Sequence, residues 1–292
     1  MLAQQLLNGF VAGATYALFA LGFTLMFGVL RVINLTYGVY FSAGAFIALA
    51  FTRNLVPSLW LALPAAALVT GVLAVGLDAL LLTRLRRVKA PELASLMVTL
   101  GATLLLYAVM TAWFGTEIRR FPPGLAGGAI EFAGLRASGA QALIIVTTLI
   151  LVAGLFWLLR RTRVGLAIRA LAENAEAAQM MGVDAGLLVA FVSFASGALG
   201  GTAGVLIGLN YNAIQPYMGE AMMLKGFAVI IIGGLGDIGG ALIAGLMLGV
   251  LEALTAGYLA SSLKDAVGFI LLVLTLWLRP DGLFGRSPVK RA

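Results

Sequence analysis

The sequence predicts an all-α fold: a polytopic transmembrane helical bundle of about eight to ten spans, with broken helices and a short cytoplasmic helix. Three observations support this prediction. The chain is 62% hydrophobic and only 11% charged over 292 residues. Its apolar runs repeatedly approach the roughly 20 residues that a helix needs to cross a bilayer. Runs such as 6–30 and 140–159 are apolar on all sides, whereas strands of a membrane barrel alternate apolar and polar residues.

Apolar runs between charged clusters mark the individual spans. Arg31 is the one charged residue within 1–52, so no basic segment precedes the first run, and we expect that run to remain as a span and not to be cleaved as a signal peptide. We assign 1–292 to a single transmembrane domain that includes a cytoplasmic loop at 160–186. The expected spans are 8–30, 32–52, 57–83, 93–115, 140–159, 187–209, 239–258 and 264–279, with a shorter ninth at about 221–235.

Lysine and arginine cluster in three connections, at 84–89, 160–169 and 279–291. The positive-inside rule places these connections in the cytoplasm, and nine crossings then put the N-terminus outside and the connection at 116–139 outside as a folded loop. The net charge of +7 is explained by such loops, so no nucleic-acid partner is expected. The chain contains no cysteine and no histidine, which argues against thiol chemistry, metal binding and a cofactor.

Two segments interrupt the apolar runs with polar residues or glycines. Non-helical backbone persists at membrane depth where protein or a water-filled cavity covers it, and transporters use such breaks to aim helix ends at a substrate. The alternatives are a capped loop at the membrane surface for the first segment and a tight cytoplasmic turn for the second. As candidate lining of a translocation pathway, with the two segments facing each other, we select Asn34, Thr36, Tyr37, Gly38, Gly233, Gly234 and Gly236.

Charged residues inside spans are the usual sign of ion coupling. Asp78 lies near the cytoplasmic end of its expected span, where snorkelling to the membrane surface or pairing with Arg84 would explain it. Glu252 lies deeper and has no obvious partner in the sequence. So few carboxylates, without histidine or an intramembrane chain of basic residues, argue against a carrier driven by protons or sodium.

A polar segment at 165–181, between two long apolar runs, has helix-forming composition and is followed by Gly182, a typical helix-ending residue. Its charged face carries Arg169, Glu173 and Glu176, and its other face carries mostly small side chains: Ile168, Leu171, Ala172, Ala175 and Ala178. One alternative is an amphipathic helix lying on lipid headgroups. The lack of bulky apolar residues and the acidic charges disfavour this alternative, so we expect a protein partner.

Glu176, Ala177 and Ala178, followed three residues later by Gly182, resemble the coupling loop of permeases in ATP-binding cassette (ABC) importers. The resemblance extends to Val-Ile-Asn-Leu-Thr-Tyr-Gly at 32–38 and to several longer segments. Together these segments cover nearly the whole chain in order and resemble LivH-type permeases of branched-chain amino-acid ABC importers, although Tyr37 stands where that family usually has histidine. The longer segments are 8–28, 163–174, 212–219, 232–241 and 279–284.

The resemblance implies a non-enzymatic permease subunit in a bacterial inner membrane. Its implied partners are a second related permease, two cytoplasmic ATPase subunits and an external substrate-binding protein. The chain has no Gly-x4-Gly-Lys-Ser/Thr pattern, so we expect ATP to be hydrolysed by other subunits. The residues that would couple to those subunits are Arg169, Glu173, Glu176, Ala177, Ala178 and Gly182.

Several alternatives stay open at this point. Within the same family, the substrate could be a branched-chain or other small amino acid, urea, a short amide, an aromatic acid or a sugar. A stand-alone secondary carrier is a further alternative, which the docking helix disfavours. An external binding protein would contact 116–139 and 210–220.

Overall fold

The computed structural model describes residues 2–30, 32–88, 90–125, 128–132 and 135–285. Its helices are α1 Leu2–Leu30, α2 Tyr37–Asn54, α3 Leu59–Leu77, α4 Thr83–Arg87, α5 Glu92–Phe114, α6 Gly139–Arg161, α7 Arg163–Glu173, α8 Ala175–Met180, α9 Ala185–Tyr211, α10 Met218–Gly233, α11 Ile238–Tyr258 and α12 Lys264–Leu278. Helix α3 continues through a π-helical turn, Asp78–Leu82, into α4. A short 3-10 turn, Ser261–Leu263, precedes α12.

Seven helices in the described part of the chain are long and apolar enough to cross a bilayer. They correspond to seven of the nine expected spans. The other two expected spans appear as α2, whose ends are more polar, and α10, whose 16 residues extend about 24 Å at 1.5 Å per residue. The all-α, polytopic fold class is confirmed, with eight to ten as an approximate count of spans.

Helix α1 is the centre of the bundle, and α11 packs along it. Gly9 and Gly13 permit this, since a Cβ at Gly13 would lie 2.8 Å from the Leu246 Cα and one at Gly9 would lie 2.8 Å from the Val250 Cα. Small residues of this kind let two membrane helices approach to backbone contact. By contrast, α12 is mostly exposed, so it lies on the outer surface of the bundle.

Helix α9 makes a second set of close crossings. A Cβ at Gly204 would lie 1.8 Å from the Phe41 carbonyl oxygen of α2, and one at Gly197 would lie 2.7 Å from the Thr70 carbonyl oxygen of α3. These contacts hold α2 and α3 against α9. The buried core therefore runs through α1, α2, α9 and α11.

The two ends of the bundle differ in composition. The Ala185 end of α9 carries α4, α7, α8 and the chain after α12, which together hold most of the arginines expected in the cytoplasm. Lys89 and Arg286, expected on the same side, lie outside the described residues. Hereafter the two ends are called the Ala185 end and the Tyr211 end.

The connection at 116–139 lies at the Tyr211 end and contains a two-stranded antiparallel hairpin, which the all-α prediction did not include. Its strands are β1 Ala129–Phe132 and β2 Leu135–Ser138. Gln4 of α1 docks the hairpin, since its side-chain amide donates to the Arg136 carbonyl at 2.9 Å and accepts from the Arg136 N–H at 3.1 Å.

Candidate functional site

The segment predicted as one docking helix forms two helices, α7 and α8, so the prediction of a single helix is wrong. Asn174 separates them, with extended backbone angles of φ −150° and ψ 105°. Its side-chain oxygen accepts a hydrogen bond from the Ala177 N–H at 3.0 Å, which begins α8. Asparagine favours such caps over helix interiors because its side chain satisfies a free backbone donor.

The apolar face of this helix pair packs on the bundle. Ile168, Leu171 and Ala178 are buried, as the sequence predicts, whereas Ala175 is exposed. Gly165 sets the contact, because a Cβ there would lie 2.3 Å from the Leu158 carbonyl oxygen of α6. The pair is therefore fixed to the end of α6.

The opposite face is exposed and includes five of the six candidate coupling residues; the sixth, Ala178, is buried. Met180 and Met181 are also exposed, by 89% and 87%, and extend this surface with flexible apolar side chains. We call the exposed set the docking surface: Arg169, Glu173, Glu176, Ala177, Met180, Met181 and Gly182.

Gly182 ends the docking surface with a left-handed backbone. Its φ of +86° is a conformation that residues with a Cβ rarely adopt. No heavy atom of the described chain lies within 4 Å of a Cβ built at this position. The need for glycine here is therefore conformational and not steric.

A cavity of about 990 Å³ lies beside α7 at the Ala185 end. Its walls come from α1, α5, α6, α7 and the turn between α10 and α11. Arg169 and Gly236 both line it, so one candidate coupling residue and one candidate pathway residue share a cavity. Movement of α7 would change the shape of this space directly.

The first predicted break is a true interruption between α1 and α2. The Asn34 side-chain oxygen accepts from the Thr36 N–H at 3.0 Å and from the Thr36 hydroxyl at 2.6 Å, and the Tyr40 hydroxyl, 2.9 Å from the Thr36 hydroxyl oxygen, donates to it. The Tyr37 hydroxyl donates to the Phe19 carbonyl at 2.9 Å. Asn34, Thr36, Tyr37 and Gly38 are all buried in the single chain.

The glycine stretch forms a capped turn between α10 and α11. Gly234 and Gly236 have φ of +106° and +86°, and Asp237 caps α11 by accepting from the Gly240 N–H at 2.6 Å. Leu283 donates its N–H to the Ile232 carbonyl at 2.8 Å, which ties the chain after α12 to this turn. The segment is therefore a tight turn at the Ala185 end of the bundle.

The two candidate pathway segments were expected to face each other, but Gly38 and Gly233 lie far apart. Gly38 packs on Gly219 in the first turn of α10, where a Cβ on Gly219 would lie 1.8 Å from the Gly38 carbonyl oxygen. Gly233 lies at the other end of the same helix, about 21 Å away at 1.5 Å per residue. The assignment of both segments to a translocation pathway stays a prediction.

Sequence inspection missed a polar cluster inside the bundle. Glu252 had no obvious partner in the sequence, and it is bonded to neighbouring helices: its carboxylate accepts from the Lys225 ammonium at 2.7 Å and from the Tyr16 hydroxyl at 2.8 Å. Lys225 also pairs with Asp265 at 2.9 Å. The cluster joins α1, α10, α11 and α12, and its visible signal in the sequence is a lysine within an apolar run.

Asp78 also has a partner other than the expected one. Its carboxylate pairs with Arg86, not Arg84. Asp78 begins the π-helical turn, which alters the angular positions of the residues after it. This pair lies where α3 meets α4.

The fold and these features define a multi-pass α-helical membrane protein with an exposed, partly charged helix pair, α7 and α8, at one end. The chain belongs to the family described as "Branched-chain amino acid transport system / permease component", whose profile matches residues 5–276. It is thus a permease component.

Named relatives span almost the same length as this chain. The permease protein BraD of the high-affinity branched-chain amino acid transport system of Pseudomonas aeruginosa is 33% identical over 99% of this chain and 97% of its own. The LivH permease protein of Escherichia coli (strain K12) is 31% identical with the same coverage. A probable LivH permease of Methanocaldococcus jannaschii is 32% identical over 92% of this chain and 88% of its own.

Proposed function

We propose that this chain is the membrane-spanning subunit of an ABC importer that moves branched-chain amino acids across the bacterial inner membrane. Family membership and the substrate printed in the names of full-length relatives support this proposal. In this proposal, residues 1–292 act as one permease domain beside a second related permease, two ATPase subunits and an external binding protein.

The docking surface is the observation that carries the coupling part of the proposal. An exposed helix pair that combines Glu173, Glu176 and two exposed methionines is suited to a protein cleft, because methionine adapts its shape to a partner. The acidic residues would meet basic groups of an ATPase subunit. Gly182 would hold the surface at a fixed angle to α9.

Coupling would proceed through α7. Because Gly165 fixes α7 to the end of α6 at backbone contact, closure of the ATPase subunits would move both helices together. The cavity shared by Arg169 and Gly236 would change shape as α7 moves. In this mechanism the permease contributes the path and the ATPases contribute the energy.

Reconstitution in liposomes tests the proposal. We expect the complete complex to import labelled leucine when ATP is supplied to the ATPase side, and the same complex to fail with a non-hydrolysable ATP analogue. Liposomes that hold this chain alone provide the control. Gradient-driven leucine uptake by the chain alone would support a stand-alone carrier, and uptake of urea or short amides in place of leucine would overturn the substrate assignment.

A further inference from the structure

The cavity of about 990 Å³ at the Ala185 end lies between helices that face the membrane. Leu93 and Leu96 of α5 form one of its walls, and Phe156 and Leu159 of α6 form part of another. Helix α5 packs on α2, and α6 packs mainly on α1 and α7, so few residues of either helix are buried. Leu93 both lines the cavity and is 65% exposed. The apolar wall of the cavity is therefore continuous with a surface that faces lipid.

Two arginines line the same cavity near the membrane surface. Helix α6 is about 34 Å long, slightly more than the roughly 30 Å of the hydrocarbon core, so Arg160 near its end lies at headgroup level. Arg169 of α7 is the second. Within the described part of the chain neither guanidinium has an ion pair. Arg160 lies 5.3 Å from the centroid of the Phe156 ring, and the Arg169 Nε–H donates to the Gly165 carbonyl at 3.4 Å, so both keep N–H donors for a ligand.

Positive charge exceeds negative charge in the lining. Asp237 is the one carboxylate among the described lining residues, and it already accepts from the Gly240 N–H at 2.6 Å where α11 begins. Glu173 and Glu176, the acidic residues of the docking surface, do not line the cavity. A phosphate group fits this balance, because a guanidinium binds phosphate oxygens through two parallel N–H donors.

Thr24 adds an unpaired hydroxyl to the cavity wall. The residue is 1% exposed, and its Oγ1 has no hydrogen-bond partner among the residues that the structure describes. Buried polar groups in native proteins are paired, so this hydroxyl indicates a ligand with an acceptor. A glycerophospholipid carries ester carbonyls next to its phosphate, and these accept from a hydroxyl. Free phosphate would leave the apolar walls without a contact.

We propose that this cavity binds an anionic phospholipid of the leaflet at the Ala185 end. Its phosphate lies on Arg160 and Arg169, an ester carbonyl accepts from Thr24, and an acyl chain packs on Leu96 and Phe156. Basic pockets between membrane helices bind the headgroups of anionic lipids in this way. Because α7 forms part of the cavity wall, the lipid also holds the docking surface against the bundle. The site is independent of which substrate the permease transports.

The test uses the full-length permease with its co-purifying subunits, stripped of lipid in detergent and titrated with phosphatidylglycerol. Native mass spectrometry counts the bound lipid. We expect Arg160→Gln to lower the apparent affinity about fivefold, the effect of one basic residue beside an anionic lipid surface. Arg161→Gln changes the neighbouring exposed arginine, which does not line the cavity, so it is the matched control and should bind like the parent.

Further variants separate lipid binding from a loss of folding. Arg160→Lys keeps the charge and should keep most of the affinity even though its contact with the Phe156 ring is weakened. Thr24→Val keeps the side-chain shape and removes the hydroxyl, so it should weaken binding by a smaller factor than Arg160→Gln. Phosphatidylglycerol should raise the thermal midpoint of the parent more than that of Arg160→Gln, because a ligand stabilises the folded state that binds it.

Three results would overturn the inference. Phosphatidylglycerol binding by Arg160→Gln within about twofold of the parent would show that this arginine does not hold the lipid. Equal losses in Arg160→Gln and Arg161→Gln would indicate general attraction to surface charge, without a site in the cavity. Complete displacement of the lipid by millimolar inorganic phosphate or by glycerophosphoglycerol, which has the headgroup but no acyl chain, would assign the cavity to a soluble anion.

Discussion

The Lys225 ammonium lies 2.7 Å from the Glu252 carboxylate and 2.9 Å from that of Asp265, so one side chain of α10 ties together α11 and α12. Tyr16 adds α1 to the same cluster through its hydrogen bond to Glu252. Because α12 is otherwise a peripheral helix, this cluster is its main polar attachment to the bundle.

Glu252→Gln should lower the thermal midpoint of the purified permease by several degrees. The variant removes the more buried of the two carboxylates that pair with Lys225 and leaves its ammonium with the more exposed Asp265 alone, at a cost of up to about 3 kcal/mol. The double variant Lys225→Gln with Glu252→Gln should recover more than half of the loss, because no charge is then stranded beside Tyr16. The measurement is fluorescence-detected size-exclusion chromatography after heating, and an unchanged midpoint in the single variant would contradict the structural role of the pair.

Gly204→Ala should destabilise the bundle through its contact with α2. The added methyl group would lie 1.8 Å from the Phe41 carbonyl oxygen, so α2 and α9 must separate, at a cost of about 1–3 kcal/mol. Gly154→Ala, in the same kind of helix, is the matched control because no heavy atom of the described chain lies within 4 Å of its Cβ. Equal thermal midpoints for the two variants would show that the α2–α9 crossing is looser than described.

Most of the helical bundle could be predicted from the sequence, because a span is a local property of about 20 consecutive residues. The Lys225–Glu252 pair could not be predicted, since the two residues are 27 positions apart and meet only through the packing of α10 on α11. The break at Asn174 depends on whether its side chain points to the Ala177 N–H or to solvent, which composition does not determine.

The residues of the candidate site divide in the same way. Some could be identified from the local sequence, and others depend on how the helices pack. Gly182 was identifiable because a left-handed helix end has a local sequence signature. The exposure of Ala175 was not identifiable, because it depends on how α8 packs after the break at Asn174.

Single cysteines should label from opposite sides of the membrane according to the positive-inside rule. The chain has no native cysteine, so each introduced thiol reports alone. We expect Gly124→Cys and Asn212→Cys, at the Tyr211 end, to react with an impermeant reagent on intact cells, and Arg163→Cys, at the Ala185 end, to react after lysis. Labelling at position 163 before lysis would reverse the orientation and place the docking surface outside.

Glu176→Ala should weaken assembly with the ATPase subunits in a salt-dependent manner. Glu176 is exposed in the first turn of α8, so its loss leaves the bundle unchanged but removes a carboxylate available to a basic partner. The measurement is ATPase co-purification at low and high salt, with Glu117→Gln, which changes an exposed carboxylate in the connection after α5 at the Tyr211 end, as the control. Equal recovery of ATPase from variant and parent at low salt would remove Glu176 from the docking surface.

Gly182→Leu should uncouple ATP hydrolysis from uptake, whereas Gly182→Asn should be nearly neutral. At φ +86° a left-handed residue with a Cβ costs roughly 1–2 kcal/mol, and asparagine tolerates this conformation better than leucine. Since nothing in the described chain lies within 4 Å of the added Cβ, insertion and expression should be unchanged, and the effect should appear at the docking surface. The measurement is the number of leucine molecules imported per ATP hydrolysed in liposomes. If Gly182→Leu assembles and imports with the parent ratio, the angle between α8 and α9 has no part in coupling, and the docking surface loses its assigned role.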